Sequence, residues 1–577
     1  MFLVAITKDG VAQNFQSVKV EELNLHSSKI TIITDNFLSN FISEPDGFSV
    51  VESPLIATPD FRNIIFSQVS YNDLEKKLTV FKSTISGRSI YYHINSRGDF
   101  FCSTHISMLR TAGVPIEENT DVLPEFFIYR YVMPPNSLYK NINHLFTGGL
   151  LYLSIVDGKC KIQSIDHYNA PEPDKKIKSM KKSSKIIYDY LSESIEKLQP
   201  VKGEISVLLS GGKDSSVTSS ICQKKFGINT SYSSGYPFED PELNFEKSYA
   251  FSAAEAFGMD HHYYEPSTQE YLAGFLESIK LTEEPLHHLQ TPLFHLLFKN
   301  AIPKDKKFIV HGQGAGFSFG NVTPYLYWRE KSITKLFSKK PLKDIFLKIY
   351  NFYGNKKGFS KIQKFKQILN ETTSNYPLND PKNPIWSWHD FGSEEWICNY
   401  FNITHQNIIK SRYDFIEKFE TRSIYDIWSL YSLLGDEDIT LPLWHKLGEG
   451  NKKILYDPFY DLKVLNYVFL IPWKIKLNRP KNRLRNEIAR RGHIPEFIIT
   501  RPKMSFGIHP DRWVKKGGVF EPLVPSASKV FDEKEIRKMQ STETKKAMTY
   551  WNMLNYATWK RLCINYEPLE VLLEELG

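Results

Sequence analysis

"ISVLLSGGKDSSVTSSIC" (residues 205–222) joins an apolar run to a helix-spaced run through Ser210-Gly211-Gly212-Lys213-Asp214. A strand that enters a tight glycine turn and leaves as a helix aims several backbone N–H groups, and the positive helix end, at one spot. That arrangement binds phosphate. Gly211 and Gly212 remove the Cβ atoms that would block close approach. Asp214 would repel a bare phosphate, so its presence implies a magnesium ion bridging carboxylate and phosphate oxygens. The pattern differs from the Walker loop, because no Gly-Lys-Ser/Thr follows four spacer residues.

The bulk numbers frame this loop. A chain of 577 residues exceeds one core, so two domains or one domain with a large elaboration are expected. Hydrophobic content of 41% and charged content of 24% are those of a globular protein. The 73 basic against 65 acidic residues leave +8, which suits an anionic ligand such as a nucleotide without demanding nucleic acid. Five scattered cysteines without a CxxC pair exclude a disulfide scaffold or a structural zinc motif. "MFLVAITKDG" lacks a basic n-region and a cleavage site, and no apolar segment is long enough to span a bilayer. A cytoplasmic protein without stable membrane insertion is expected.

Residues 1–168 read as short strands: "KLTVFKSTISGRSIYYHINSRGDFFCST" alternates apolar and polar residues between glycine turns. Residues 169–182, rich in Pro and Lys, form a linker. Residues 183–577 open with the helix-spaced "IIYDYLSESIEKL" and then alternate strands and helices through "NTSYSSGY", "EKSYAFSAAEAFG" and "KFIVHGQG". That order predicts an α/β unit on a parallel sheet, followed by a mainly helical C-terminal third.

The glycine loop resembles the SGGxDS pyrophosphatase (PP) loop, which binds ATP so that an acceptor attacks the α-phosphorus. Further stretches resemble one family, the asparagine synthetase-like amide-forming enzymes, in which a class II glutamine amidotransferase domain of α+β, Ntn type precedes a PP-loop synthetase domain. "SYSSGYPFEDPELNFEKSYAFSAAEAFGMDHHYYEP" resembles its second nucleotide strand and acidic helix. "YDPFYDLKVLNYVFLIP" resembles its "PFLD" segment. "PKNRLRNEIARRGHIPEFIITRPKMSFG" resembles its "K..LR" to "R.K..F" run, with Lys481, Arg485, Arg501 and Lys503. The resemblance implies ATP contacts from Leu208, Ser210, Gly211, Gly212, Lys213, Asp214, Ser215, Ser216, Ser234, Gly235, Gly312, Gln313, Gly314 and Arg501, with Asp214 on magnesium. It gives Lys503 the transition-state charge and Asp438, with Glu437 beside it, a substrate-facing acid role. His261 and His262 are structural in this reading.

Two departures bear on function. The family's glutaminase uses a cysteine directly after the initiator methionine, and Phe2 stands here. In "HGQGAGFSFG" (311–320) the family's metal-binding acid falls on Gly316 and the preceding Glu on Gln313, leaving Glu239, Asp240 and Glu284 as replacement carboxylates. Members without glutaminase chemistry resemble cyclases. β-Lactam formers carry a Tyr where Gln313 stands, which argues for the other kind, the lasso peptide cyclases. The implied substrate is a ribosomal precursor peptide whose Asp or Glu side chain is adenylated and captured by its N-terminal amine. An α-amino group with a pKa of about 8 needs little help as a nucleophile. A leader peptidase or leader-binding protein is the expected partner. An ammonia-using amidotransferase, a β-lactam-type synthetase and an inactive nucleotide-binding scaffold remain open.

From Arg329 to Lys366, twelve Lys or Arg face two acidic residues, interleaved with apolar positions at helical spacing. A packed helical face, a groove for peptide or partner, and a membrane-surface contact all fit this composition. No nucleic-acid module accompanies it.

Overall fold

In the first strand, Phe2–Thr7, all six residues are buried, so alternation gives way to an apolar run. The cause is packing on both faces. Phe2, Val4 and Ile6 meet Phe48, Val50, Val69 and Val80 of a second sheet. Leu3 and Ala5 join a core that continues through the rest of the chain. This computed structural model describes residues 1–8, 10–11, 18–24, 28–35, 37–85, 87–236, 241–320, 391–419, 421–478, 481–501, 513–514 and 516–576. The Arg329–Lys366 stretch and Lys503 lie outside the described residues.

The N-terminal strands form two six-stranded antiparallel sheets. The first is centred on Phe2–Thr7, between Lys29–Thr34 and Phe100–Ser103. The second runs from Ser39–Glu44 to Lys159–Asp166. Stacked face to face, they form a sandwich. Phe2 is fully buried between the sheets. Cys102 sits opposite Val4 on the neighbouring strand, also buried, where loss of water pushes its thiol pKa well up. Neither residue offers a reactive thiolate.

The expected linker is shorter than its composition suggests. The helix Met180–Glu196 starts inside it, because the Ser179 side chain caps the Lys182 N–H. Beyond it, five parallel strands stand in the order Asp260–Tyr264, Thr230–Ser234, Ile205–Leu208, Phe308–Val310, Ile454–Tyr456. The glycine loop leaves the C-terminal end of the central strand, where open parallel sheets hold their ligands. The mostly helical C-terminal part includes Thr544–Trp559, with Trp551 and Trp559 fully buried. No described helix is long and apolar enough to cross a membrane.

The sandwich meets the rest of the chain through charge as well as apolar packing. The helix Glu437–Gly450 is buried along almost its whole length. Its Asp438 pairs with Lys82 at 2.5 Å and its Glu449 with Arg88 at 2.9 Å, while Arg88 also holds Glu52 at 3.0 Å. Large-to-small changes inside such a core leave cavities. Phe2→Ala is expected to destabilise the chain by about 3–5 kcal/mol, read as a lowered urea midpoint with an unchanged slope.

Candidate active site

The central strand Ile205–Leu208 ends at Ser210, Gly211 takes φ +66°, and the helix Lys213–Phe226 begins after Gly212. A Cβ on Gly211 would lie 2.4 Å from the Tyr249 backbone, and one on Gly312 would lie 2.4 Å from the Ser215 nitrogen. Both clashes are with main chain, which cannot step aside. The two glycines therefore allow the Pro241–Phe257 helix and the 311–314 loop to close directly on the phosphate-type turn. Ser210 and Ser215 hydroxyls lie 3.1 Å apart across the turn, and Ser215 also donates to the Gly212 carbonyl. Ser216 is fully buried, and its hydroxyl has no hydrogen-bond partner among the described residues.

The other expected nucleotide contacts gather around the same turn. Leu208 pairs with Tyr232 in the adjacent strand, which carries Ser234 and leads to Gly235. Gly235 donates its N–H to the Tyr264 carbonyl, and a Cβ there would strike the Tyr263 ring. Gly314, at φ +107°, lies against Tyr460. Lys213 reaches the Ile499 carbonyl at 2.9 Å, tying the turn to the helix Glu496–Thr500 and thus to the segment that runs on to Arg501. The His261 ring nitrogens Nδ1 and Nε2 are hydrogen-bonded with the Ser231 and Ser233 hydroxyls within the sheet.

Two of the expected site carboxylates already have cationic partners in the fold. Asp214, expected to carry magnesium, is gripped by the Arg485 guanidinium through Nε and Nη2. Magnesium needs oxygen donors. Of the described carboxylates adjoining the turn, Asp214 is held by Arg485 and Glu246 by Arg501 at 2.8 Å. Among the described residues, nothing lies within 4 Å of a Cβ built on Gly316. Glu284 is hydrogen-bonded to Tyr91 at the sandwich interface, and Glu239 and Asp240 lie outside the described residues. The described donor set does not fit a protein-held magnesium ion.

Asp438 is the second. Its carboxylate is fully buried, paired with Lys82 and hydrogen-bonded by the Thr147 backbone and hydroxyl, so it faces the sandwich and not a substrate. Its neighbour Glu437 points elsewhere, since successive helical residues project about 100° apart. Glu437 accepts from Gln313 Nε2 at 3.0 and 3.1 Å and from the Tyr460 hydroxyl at 2.5 Å. Burial, with the nearby Asp436 charge adding to it, pushes the Glu437 carboxyl up to about 7. A wide helical turn, Ser432–Asp436, immediately precedes it, a distortion that often marks functional sites. The sequence contained no local signal for this cluster. Glu437 and Tyr460 are 23 residues apart, and Gln313 is 124 residues from Glu437.

A strand–glycine turn–helix at the carboxyl edge of a five-stranded parallel sheet, beside a buried carboxylate, defines the nucleotide-using α/β class of site. The asparagine synthase family profile matches residues 187–423 and 457–561, more than half of the chain, and the chain belongs to that family. It is similar to asparagine synthetase [glutamine-hydrolyzing] 1 of Bacillus subtilis, with 23% identity over 456 residues, covering 74% of this chain and 65% of that protein. It is also similar to a putative asparagine synthetase [glutamine-hydrolyzing] of Mycobacterium bovis, with 21% identity over 445 residues, covering 72% of this chain and 62% of that protein. The chain thus spans less than two thirds of the length of these relatives.

Breaking one side of a buried ion pair leaves the other charge stranded. Asp438→Asn is expected to cost about 3–5 kcal/mol in unfolding free energy, whereas the double change Asp438→Leu with Lys82→Met restores most of it. Denaturant titration of the two variants against the unaltered chain distinguishes them.

Proposed function

We propose that the chain is an ATP-dependent, AMP-forming C–N ligase and, within that class, a macrolactam-forming peptide cyclase of the lasso type. The observation that carries the ligase reading is the glycine turn, closed by Gly211 and Gly312 against neighbouring main chain at the sheet's carboxyl edge. It is supported by membership of the asparagine synthase family. The cyclase reading is supported by Phe2, which fills the sandwich core where glutamine hydrolysis would require a nucleophile. In this reading the N-terminal sandwich is a glutaminase-like layer without glutaminase chemistry, and the captured amine belongs to the substrate.

The reaction then has two steps. A substrate Asp or Glu carboxylate oxygen attacks the α-phosphorus, the α–β phosphoanhydride bond breaks, and pyrophosphate leaves. The N-terminal amine next attacks the acyl carbon, the acyl–phosphate bond breaks, and AMP leaves. Glu437 takes the amine proton. Its position in the Gln313–Tyr460 cluster, one residue from Gly312 through Gln313, supports that assignment. Lys503 and Arg501 are assigned to the phosphates. Holding the amine and the acyl group together supplies the entropic part of the acceleration. Magnesium, when it enters, comes with the nucleotide and neutralises phosphate charge.

Incubating the purified chain with ATP and a synthetic precursor peptide is expected to release pyrophosphate only when peptide is present, and mass spectrometry should record a product lighter by one water. Release that depends on ammonium and a small acid would replace cyclisation with amidation. Nucleotide binding with no release under either condition would leave a scaffold. For the base, cyclisation is expected to rise with pH through about 7, because the ionised carboxylate is the active form. Glu437→Gln should abolish that limb. Tyr460→Phe removes a hydrogen bond that favours the anion and should move the limb to higher pH.

A further inference from the structure

The three side chains of the Glu437 cluster come from three separate segments, and the same three segments meet a second time. Gln313 belongs to the 311–314 loop, Tyr460 to the short helix Pro458–Tyr460, and Glu437 to the helix Glu437–Gly450. His311 opens that loop, Asp457 directly precedes Pro458, and His445 lies on the Glu437 helix. All three are buried, and their polar atoms converge. His445 Nε2 is hydrogen-bonded to Asp457 Oδ2 at 2.6 Å, and His311 Nε2 lies 2.5 Å from Oδ1, off the hydrogen-bond axis. Ligand atoms sharing a zinc ion stand about 3.3 Å apart, so both contacts are too close for a shared metal. Burial alone would raise the Asp457 carboxyl, but His445 and His311 outweigh it and hold it well below the ordinary range, so the group is a carboxylate. The other His311 nitrogen, Nδ1, accepts the Gln313 backbone N–H at 3.3 Å, which leaves the ring proton on Nε2, toward Asp457. His445 is enclosed from the sandwich. The Phe66 ring meets it edge-on, 5.8 Å between centres, and a Cβ on Gly87 would lie 2.4 Å from its ring.

We propose that Asp457 is a positioning residue for the base: with His311 and His445 it clasps the three segments together and keeps Gln313 and Tyr460 directed at Glu437. This rests on the reading of Glu437 as the base. One arm runs through His311 to the Gln313 backbone, and the Gln313 side chain reaches both Glu437 oxygens. The other runs along the chain from Asp457 to Tyr460, whose N–H returns to the Asp457 carbonyl at 2.9 Å. His445 ties both arms to the helix that carries Glu437. Asp436 also faces Glu437; it lies 3.0 Å from His287 Nε2 and is acted on by Arg130 and Arg412. Position and charge act on Glu437 with opposite signs. Burial and the Asp436 charge dominate its proton affinity. Next come the Tyr460 and Gln313 hydrogen bonds, which lower it, and last the Asp457 charge, which raises it. Loss of position therefore raises the ionisation midpoint of Glu437, and loss of the Asp457 charge alone lowers it.

The test is fluorine NMR of the full chain with Tyr460 replaced by 3-fluorotyrosine, titrated across neutral pH. The step that Glu437→Gln removes is the ionisation of Glu437, expected at about 7. Asp457→Asn leaves a carboxamide that cannot accept from both rings, and should raise this midpoint by about one pH unit, the equivalent of one charge-assisted hydrogen bond. His311→Gln loosens the Gln313 arm alone and should raise it by less. It also serves where Asp457→Asn does not melt cooperatively. A midpoint that stays or falls in the folded variants overturns the inference, because a residue that only supports the fold or only adds charge gives that result. So does the absence of a Glu437-dependent step in the unaltered chain, or one zinc per chain that Asp457→Asn abolishes. If the midpoint rises but the pH limb for cyclisation of the synthetic precursor peptide does not follow it, the base reading falls and the clasp stands.

Discussion

Main chain packed against main chain at Gly211 and Gly312 is the constraint on which the site depends. A side-chain clash can be relieved by a rotamer change, but Tyr249, Asp214 and Ser215 meet these glycines with backbone atoms of regular helices. Any residue with a Cβ would therefore part the central strand's turn from one of its two neighbours. With both glycines in place, the turn, the Pro241–Phe257 helix and the 311–314 loop form one wall. That wall carries Ser210, Ser215 and Gln313 on a single surface, and everything inferred about chemistry follows from its closure.

Charge is distributed around this wall in two regimes. Beside the turn, acids and arginines are paired, Asp214 with Arg485 and Glu246 with Arg501. Toward the sandwich, Asp438 pairs with Lys82, while Arg88 holds both Glu52 and Glu449, and these charges are spent within the interface. Glu437 lies between these regimes. Its acceptors are filled by neutral donors from Gln313 and Tyr460, and burial with the Asp436 charge raises its affinity for a proton. A carboxylate left near neutrality by its surroundings differs chemically from Asp438 one residue away, although the two are indistinguishable by composition.

The glycine turn, the strand–helix alternation and the parallel sheet were legible in the sequence because each is encoded locally, by Gly211 and Gly212, by a four-residue apolar run and by helical spacing. The two antiparallel sheets were legible for a similar reason, except in Phe2–Thr7, where burial on both faces erases the alternation that marks a strand. What sequence could not supply was partnership. Asp214 reads as a metal ligand until Arg485, 271 residues away, is seen to occupy it. Asp438 reads as a substrate-facing acid, and its partner Lys82 lies 356 residues away in the chain. Linker composition also misled at one end. Lysines in 180–182 look like spacer, yet a single Ser179 cap is enough to start a helix there.

The buried ion pairs between the sandwich and the Glu437–Gly450 helix have a consequence for how separable the two halves are. Cutting the chain after the sandwich would leave Asp438 and Glu449 as unneutralised anions in a cavity built to exclude water, and Lys82 and Arg88 as bare cations on the discarded piece. Each half thus holds charges whose counter-charges lie in the other half, and the pairs are lost when the halves part. The boundary that looks like a seam in the sequence is thus a weld in the molecule.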